Sequence, residues 1–357
     1  MSIQPPRKTS LPEETYRVLR EAIETGNWSQ FLPGERLLCE QFQISRPTLR
    51  YALQRLEEEA VITNQQGKRR EILLKNIRKQ SSQRVSVIGL LCRSPVREML
   101  GHTSRKVAAM EHAIHQKGFA FQLHARVGCF SVRPGKALET LIRESNVDVW
   151  ILQETTEAMQ KWFVQEKIPS VVSGTPFDGI NLPSVDLDNE AICRHAVGLL
   201  LARRRRNLFF VTNRTTYAGD ALAIEGFEKG IAASPSAKGF ILRHDGTPDG
   251  ICRLLAYHLK SGKELDGFIF NQPGGAFTVM SYLLGKGHRI PKDFALISRC
   301  QVMDFASLRP SIASYSRENE KIAKLTVDLA VKIARSQPIH KSEIKIIPAF
   351  IPGDSLG

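Results

Sequence analysis

From Val85 onward, short apolar runs alternate with longer stretches of helical spacing, and this alternation limits the fold more than anything else in the chain. Val85–Cys92, Phe119–His124, Val147–Leu152 and Ile168–Ser173 read as buried strands, as do 208–212, 239–243, Asp266–Phe270 and Phe294–Ser298. Ser184–Asp188 leads into a helical stretch at 189–202. The text at 98–117, 134–145, 156–166, 217–233, 248–261, 275–286 and 317–335 has the same helical length and period, and extended text returns at Ile344–Ile351. Strands apolar on both faces and joined by helices form parallel sheets covered on both sides. Residues 85–357 are too many for one such sheet and enough for two. Open sheets of this kind bind ligands beyond the carboxyl ends of their strands.

The text before Val85 has a different texture. Tyr16, Leu19, Ala22 and Ile23 form the apolar stripe of a helix that opens at Leu11 and stops at Gly26. Leu37, Leu38 and Phe42 give a second, short apolar face. Gln43-Ile44-Ser45 is a tight break, after which Leu49, Ala52, Leu53, Leu56 and Ala60 recur at helical spacing. Ser45 suits the N-cap of that helix and Pro47 its first turn, where a missing N–H costs nothing. Val61–Thr63 and Glu71–Leu74 read as two strands around the turn Gln65–Lys68, with Gly67 able to take positive φ. Helix, turn, helix and hairpin in this order make a winged helix-turn-helix. Its second helix leaves Arg46, Thr48, Arg50 and Tyr51 outside the core near the N-terminal end, the part of a recognition helix that reaches base edges. Arg can bond guanine O6 and N7 in bidentate fashion, and Thr can contact a phosphate or a thymine methyl. Gln66, Gly67, Lys68 and Arg69 belong to the wing, where Lys68-Arg69-Arg70 suits phosphate or minor-groove contact. A plain helical bundle with a solvated basic face would explain the stripe, but not cap, turn, hairpin and charge together.

These residues carry a specific resemblance. Leu32-Pro33-Gly34-Glu35-Arg36, Ile44 to Arg50, Ala52-Leu53, Leu56 and Gly67 resemble the GntR-family DNA-binding domain, whose usual pattern is LPSER, VSRTTVR, AL, L and a wing glycine. The resemblance implies DNA contacts from Arg36, Ser45, Arg46, Thr48, Arg50 and the wing around Gly67. Two positions depart from it. Gly34 replaces the usual Ser, and Pro47 replaces Thr or Ala and cannot donate a side-chain hydrogen bond.

Charge adds less than its size suggests. The net charge is +14, yet residues 1–80 carry 14 Lys and Arg against 10 Asp and Glu, so most of the excess lies elsewhere. It favours an anionic partner without saying where that partner binds. The six cysteines are dispersed with no C-x-x-C, which fits a reducing compartment and argues against a zinc or disulfide framework. There is no apolar signal core and no run of apolar residues long enough to span a bilayer, so the expected location is the cytoplasm with no membrane partner. Residues 1–10 read as a disordered tail, 11–74 as the winged helix-turn-helix and 75–84 as a polar, basic linker. Residues 85–357 form the remaining domain.

That domain resembles the effector domain of the LacI/GalR family, itself similar to periplasmic sugar-binding proteins. Pro183 to Asn189 resembles PSV-x-x-DN, Glu225-Gly226-Phe227 the R-x-x-GF helix, and Asp266 to Asn271 the strand DAIFAAND. Gly287 to Asp293 resembles G-x-x-VP-x-D, Arg309 to Ile312 the P-x-LTT crossover, and Pro352 to Ser355 the terminal R-E-S. The fold implied is α/β, with two periplasmic-binding-protein-like subdomains of doubly wound parallel sheet. One would hold about 85–186 plus the helix near 317–335, the other about 187–308 plus the terminal strand. A ligand would bind between them. Candidate effector contacts are Ser94, Arg97, Ser173, Asp188, Tyr217, Asp220, Asn271, Arg299 and Cys300. Departures from the family are concentrated here. Ala223 stands where the family's sugar-contacting Arg lies, Gln272 follows Asn271 in place of Asp, and Arg299-Cys300 replaces acidic residues. Sugar hydroxyls are oriented by charged, bidentate partners, so these losses argue against an ordinary sugar. The positive charge of Arg299 makes an anionic ligand conceivable, and a degenerate pocket is the other reading.

Other motifs are bland. Arg203–Arg206 reads as a solvated helix end offsetting the helix dipole. Glu57–Glu59 reads as a solvated face. Pro273-Gly274-Gly275 lacks the Lys-Ser/Thr of a nucleotide loop and reads as a strand-to-helix turn lining the cleft. No paired histidine spacing suggests a metal, and no nucleophile elbow suggests an enzyme. The expectation is therefore a cofactor-free, non-enzymatic transcription regulator, a repressor. It would be a homodimer on a palindromic double-stranded DNA operator, modulated by a small-molecule effector. The alternatives are a ligand-independent regulator and an α/β enzyme with a DNA-binding head.

Overall fold

The computed structural model describes residues 10–24, 28, 31–63, 70–73, 85–99, 101–214, 217–261 and 265–357. The chain divides into two compact units, residues 1–84 and 85–357. The expected linker, the tip of the wing and Gly26 lie outside the described residues.

In the first unit, α1 (Leu11–Glu24), α2 (Glu35–Phe42) and α3 (Arg46–Glu58) enclose one core. Tyr16, Leu19 and Ile23 of α1 meet Leu38 of α2 and Leu49, Ala52, Leu53 and Leu56 of α3. Gln43 takes a left-handed conformation (φ 52°) and returns its N–H to the Cys39 carbonyl, which closes the turn between α2 and α3. Ile62 pairs with Ile72, and Phe31 with Glu71, in antiparallel bridges at the base of the hairpin. Two sequence expectations are corrected here. Leu37 is 49% exposed, so α2 buries Leu38 without it. Glu58 and Glu59 are exposed as the sequence suggested, but the face is not merely solvated, because half-buried Glu57 pairs with Arg70 at 2.8 Å and Glu59 pairs with Arg20 and accepts the Tyr16 hydroxyl.

The second unit runs β1 (Val87–Cys92), α4 (Gly101–Gln116), β2 (Ala120–Ala125), α5 (Gly135–Glu144), β3 (Val149–Gln153), α6 (Glu157–Gln165), β4 (Ser170–Ser173) and β5 (Ser184–Leu187). It continues α7 (Asn189–Ala202), β6 (Asn207–Asn213), α8 (Ala218–Ala232), β7 (Lys238–His244), α9 (Pro248–Lys260), β8 (Gly267–Phe270), α10 (Pro273–Leu284) and β9 (Ala295–Ser298). Then come β10 (Ala313–Tyr315), α11 (Asn319–Ala334), β11 (Glu343–Ile346) and β12 (Phe350–Ile351). One six-stranded sheet has the order β11-β5-β4-β3-β1-β2 and the other β12-β10-β9-β8-β6-β7. All pairings are parallel except β10 with β12.

Each sheet is covered on both faces, as its doubly apolar strands require. On the first sheet, Met110 and Ile114 of α4 pack with Val327 and Ala330 of α11 on one side. Leu138 and Phe163 of α5 and α6 cover the other. On the second, α9 and α10 bury Leu255 and Leu283 on one side, and α7 and α8 bury Val197 and Phe227 on the other. The α7–α8 contact is very close at Gly226, where a Cβ would come 2.2 Å from the Glu190 carbonyl oxygen. The subdomain boundaries differ from the sequence reading. β10 extends the second subdomain to Tyr315, and the text at Ile344–Ile351 divides into β11 in the first sheet and β12 in the second. The chain thus crosses between sheets at Asp188, at 316–318 and at 347–349. These crossings lie side by side, with the Asp188 N–H on the Ile346 carbonyl (2.8 Å) and the Ser316 N–H on the Ala349 carbonyl (2.8 Å).

Candidate functional site

The first site begins with the cap of α3. Ser45 stays extended and its Oγ accepts the Thr48 N–H at 3.4 Å, lying 2.8 Å from Thr48 Oγ1. Pro47 occupies the first turn without breaking it. Because Leu49, Ala52, Leu53 and Leu56 fill the core, Arg46, Arg50 and Tyr51 are turned to solvent, with Thr48 half-buried. Arg46 makes no ion pair or hydrogen bond among the described residues. Arg50 reaches Glu35 at 3.2 Å, and Arg36 pairs with Glu40 at 3.3 Å on an exposed turn of α2. Burial works to raise the Glu35 carboxyl, but hydrogen bonds from Arg50 and Arg70 bring it below its ordinary value. Arg70 joins Glu35 to Glu57, so it braces α2 against α3 and does not belong to a basic wing tip. Gln66, Gly67, Lys68 and Arg69 lie outside the described residues.

The second site is a cavity of about 240 Å³ in the second unit, at the facing ends of the two sheets. Five of the expected residues line it: Ser173 at the end of β4, Tyr217 and Asp220 at the start of α8, and Arg299 and Cys300 after β9. Four do not. Arg97 is exposed beside Glu98, and the Ser94 carbonyl accepts the Cys92 thiol. Asp188 caps α7 through the Ala191 N–H at 3.0 Å, and Asn271 is buried against Thr212 at 2.9 Å. The turn Pro273–Gly275 opens α10 and is not part of the cavity wall.

The electrostatics differ from the sequence reading in one decisive respect. Arg299 donates to Asp220 at 3.1 Å and to Asn189 at 2.7 Å; Asp220 is buried and Arg299 largely so. Its positive charge is therefore matched within the protein. Asp220 also accepts the Tyr217 N–H at 3.2 Å and so caps α8. Asp186, between the two walls, accepts from Thr175 (2.7 Å), Asn189 (3.0 Å) and its neighbour's N–H (2.8 Å). Ser173 Oγ is buried with no hydrogen-bond partner among the described residues. Burial pushes the Cys193 thiol, behind Arg299, up to about 12, so it is no nucleophile.

Sequence reasoning missed Lys106, Glu154, Asp186 and Arg317 as lining residues. Lys106 had a visible signal, since it lies one turn from Thr103 and Met110 on the buried side of α4. Arg317 sits in an irregular crossing and had none. The arginine run also reads differently in three dimensions. Arg205 is no solvated helix end, because it pairs with Asp266 at 3.2 Å and donates to the Pro291 and Lys292 carbonyls.

Residues 11–72 match the family model described as bacterial regulatory proteins, gntR family. They form a GntR-family helix-turn-helix domain. The chain is 20% identical over 201 residues to the HTH-type transcriptional regulator pepR1 of Lactobacillus delbrueckii subsp. lactis, a match over 56% of this chain and 60% of that relative. The second unit has the fold of a LacI-family regulatory protein from Chloroflexus aggregans (TM-score 0.67, 19% identity, 76% of this chain and 98% of that one). It is also similar to a periplasmic binding protein/LacI transcriptional regulator from Alkaliphilus metalliredigens complexed with D-xylulofuranose (TM-score 0.62, 17% identity, 76% and 98%). At these identities the likeness is one of fold. Among the described residues no helix is long and apolar enough to cross a membrane, and no group of three His, Cys, Asp or Glu could hold a metal ion.

Proposed function

We propose that the protein is a DNA-binding transcription regulator, a repressor, that holds a palindromic operator as a homodimer in the cytoplasm. The observation that carries this is the capped start of α3, which presents Arg46 and Arg50 to solvent from a rigid, buried helix. Arg46 and Arg50 read base edges, and Arg50 exchanges Glu35 for the base. Ser45, Thr48, Arg36 and Tyr51 position the helix, and the wing residues Gln66 to Arg69 hold the backbone. A small molecule in the cleft of the second unit changes the angle between the two sheets through the three crossings, and so selects one arrangement of the heads.

The test is selection of bound sequences from random DNA, followed by gel shifts on the recovered operator. Arg46→Ala should cost about 1–3 kcal/mol on the operator and relax its sequence preference. Lys68→Ala should weaken binding to every sequence and flatten the salt dependence. Unchanged operator affinity in Arg46→Ala would remove the base-reading role. A ligand-independent regulator is the second reading, favoured by the engagement of Arg299 with Asp220 and Asn189 inside the cleft.

A further inference from the structure

The chemistry of the cleft narrows its ligand, an inference that rests on the sensor reading above. Arg299 is paired with Asp220 and Asn189, which leaves only its Nε without a partner among the described residues, and Asp186 already accepts three hydrogen bonds. What remains is a pair of cations, Lys106 and Arg317, and one carboxylate, Glu154, which also lines the cavity and makes no ion pair among the described residues. Lys106 makes no hydrogen bond or ion pair among the described residues. Arg317 gives its Nε to the Gln301 carbonyl at 2.6 Å and makes no ion pair among them. Both line the cavity. Burial lowers the Lys106 pKa, Glu154 and Asp186 oppose this from a distance, and Arg317 adds to it. Two neighbouring cations with no carboxylate in contact are complementary to an anionic group, and the planar guanidinium fork suits a carboxylate.

The rest of the wall points to hydroxyls. Ser173 is 5% exposed and its Oγ has no partner among the described residues. Thr175, Asp186 and Asn189 lie beside it in the cavity wall and offer both donors and acceptors. The α8 N-terminus, the usual seat for a phosphate, is already capped by the carboxylate of Asp220, which occupies the place such a group would take. At about 240 Å³ the cavity is smaller than drug-sized pockets, which begin near ~300 Å³. We propose that the cleft binds a small hydroxylated monocarboxylate, a sugar acid. Its carboxylate lies between Lys106 and Arg317, and its hydroxyls face Ser173 and Asp186.

The full chain, titrated calorimetrically and by thermal shift, tests this with D-gluconate and D-galacturonate, neutral D-glucose and D-galactose, and D-glucose 6-phosphate. An acid should bind where its neutral counterpart does not. Lys106→Met and Arg317→Gln should each weaken that binding by about tenfold or more. Ser173→Ala should weaken it less and leave the ligand-free midpoint in place, since its Oγ has no bond to lose. Equal binding of a neutral sugar, preference for glucose 6-phosphate, or acid binding indifferent to both cation variants overturns the sugar-acid assignment and leaves the sensor reading standing. Binding of none of the five overturns both.

Discussion

Replacing Arg299 with Met tests whether the charge in the cleft is truly internal. The side chain of Arg299 is 14% exposed and that of Asp220 is 6% exposed, so removing the guanidinium leaves a buried carboxylate without its counter-ion. It also leaves the Asn189 amide oxygen without the donor that now sits 2.7 Å away. Breaking a buried pair from one side costs about 3–5 kcal/mol, whereas removing both charges costs much less. Arg299→Met should therefore destabilise the second unit by about 3–5 kcal/mol. Adding Asp220→Asn, which can still accept the Tyr217 N–H, should restore roughly 2–3 kcal/mol as a coupling term. Urea unfolding followed by tryptophan fluorescence measures this. Trp150 and Trp162 lie in the second unit, and a Trp28→Phe background silences the head. A loss below about 1 kcal/mol, or a double variant no more stable than Arg299→Met, would refute the reasoning and return Arg299 to the ligand.

Three further outcomes follow from the geometry. Gly226→Ala should destabilise the second unit by roughly 1–3 kcal/mol in the same urea experiment, because its Cβ has no room beside the Glu190 carbonyl and α7 must move away from α8. Ser45→Ala should cost the head about 0.5–1 kcal/mol, near the low end for a cap because the Ser45–Thr48 bond is long at 3.4 Å; thermal unfolding of the full chain reads it. His244 is buried, its Nδ1 accepts the Gly246 N–H at 3.1 Å, and burial holds its pKa below the ordinary 6.5, with Asp245 opposing. The unfolded chain therefore takes up a proton first, so stability is full above about pH 6.5 and falls as pH drops toward the depressed folded value. Midpoints measured between neutral and mildly acidic pH should show that loss, and His244→Gln should flatten it.

Most of the architecture was legible because its signal is local. A buried parallel strand needs a short run of apolar side chains and a covering helix needs a longer period, and both can be read from consecutive residues. The failures fall where the signal is not local. Ala313–Tyr315 is a three-residue strand between Ile312 and Ser316, too short to show any period. At Ile344–Ile351 the extended character was visible, but Pro348 lies between two strands whose partners are in different sheets. The candidate cleft was harder. Cys300 and Arg299 announce themselves by departing from a family pattern, while the neutralising Asp220 is 79 residues away in the chain. Arg70 misled for the same reason, since its partners Glu35 and Glu57 come together only when α2 and α3 pack.

The division of residues 343–351 between the two sheets also governs how the protein is made. β11 and β12 are the edge strands of separate sheets, and both emerge from the ribosome after every strand they complete. Until then the flanks of β5 and β10 expose unpaired backbone donors and acceptors, a template for pairing with another chain. Neither half can mature ahead of the other, so a nascent chain stalled before Glu343 would be doubly adhesive and a ready client for holding chaperones.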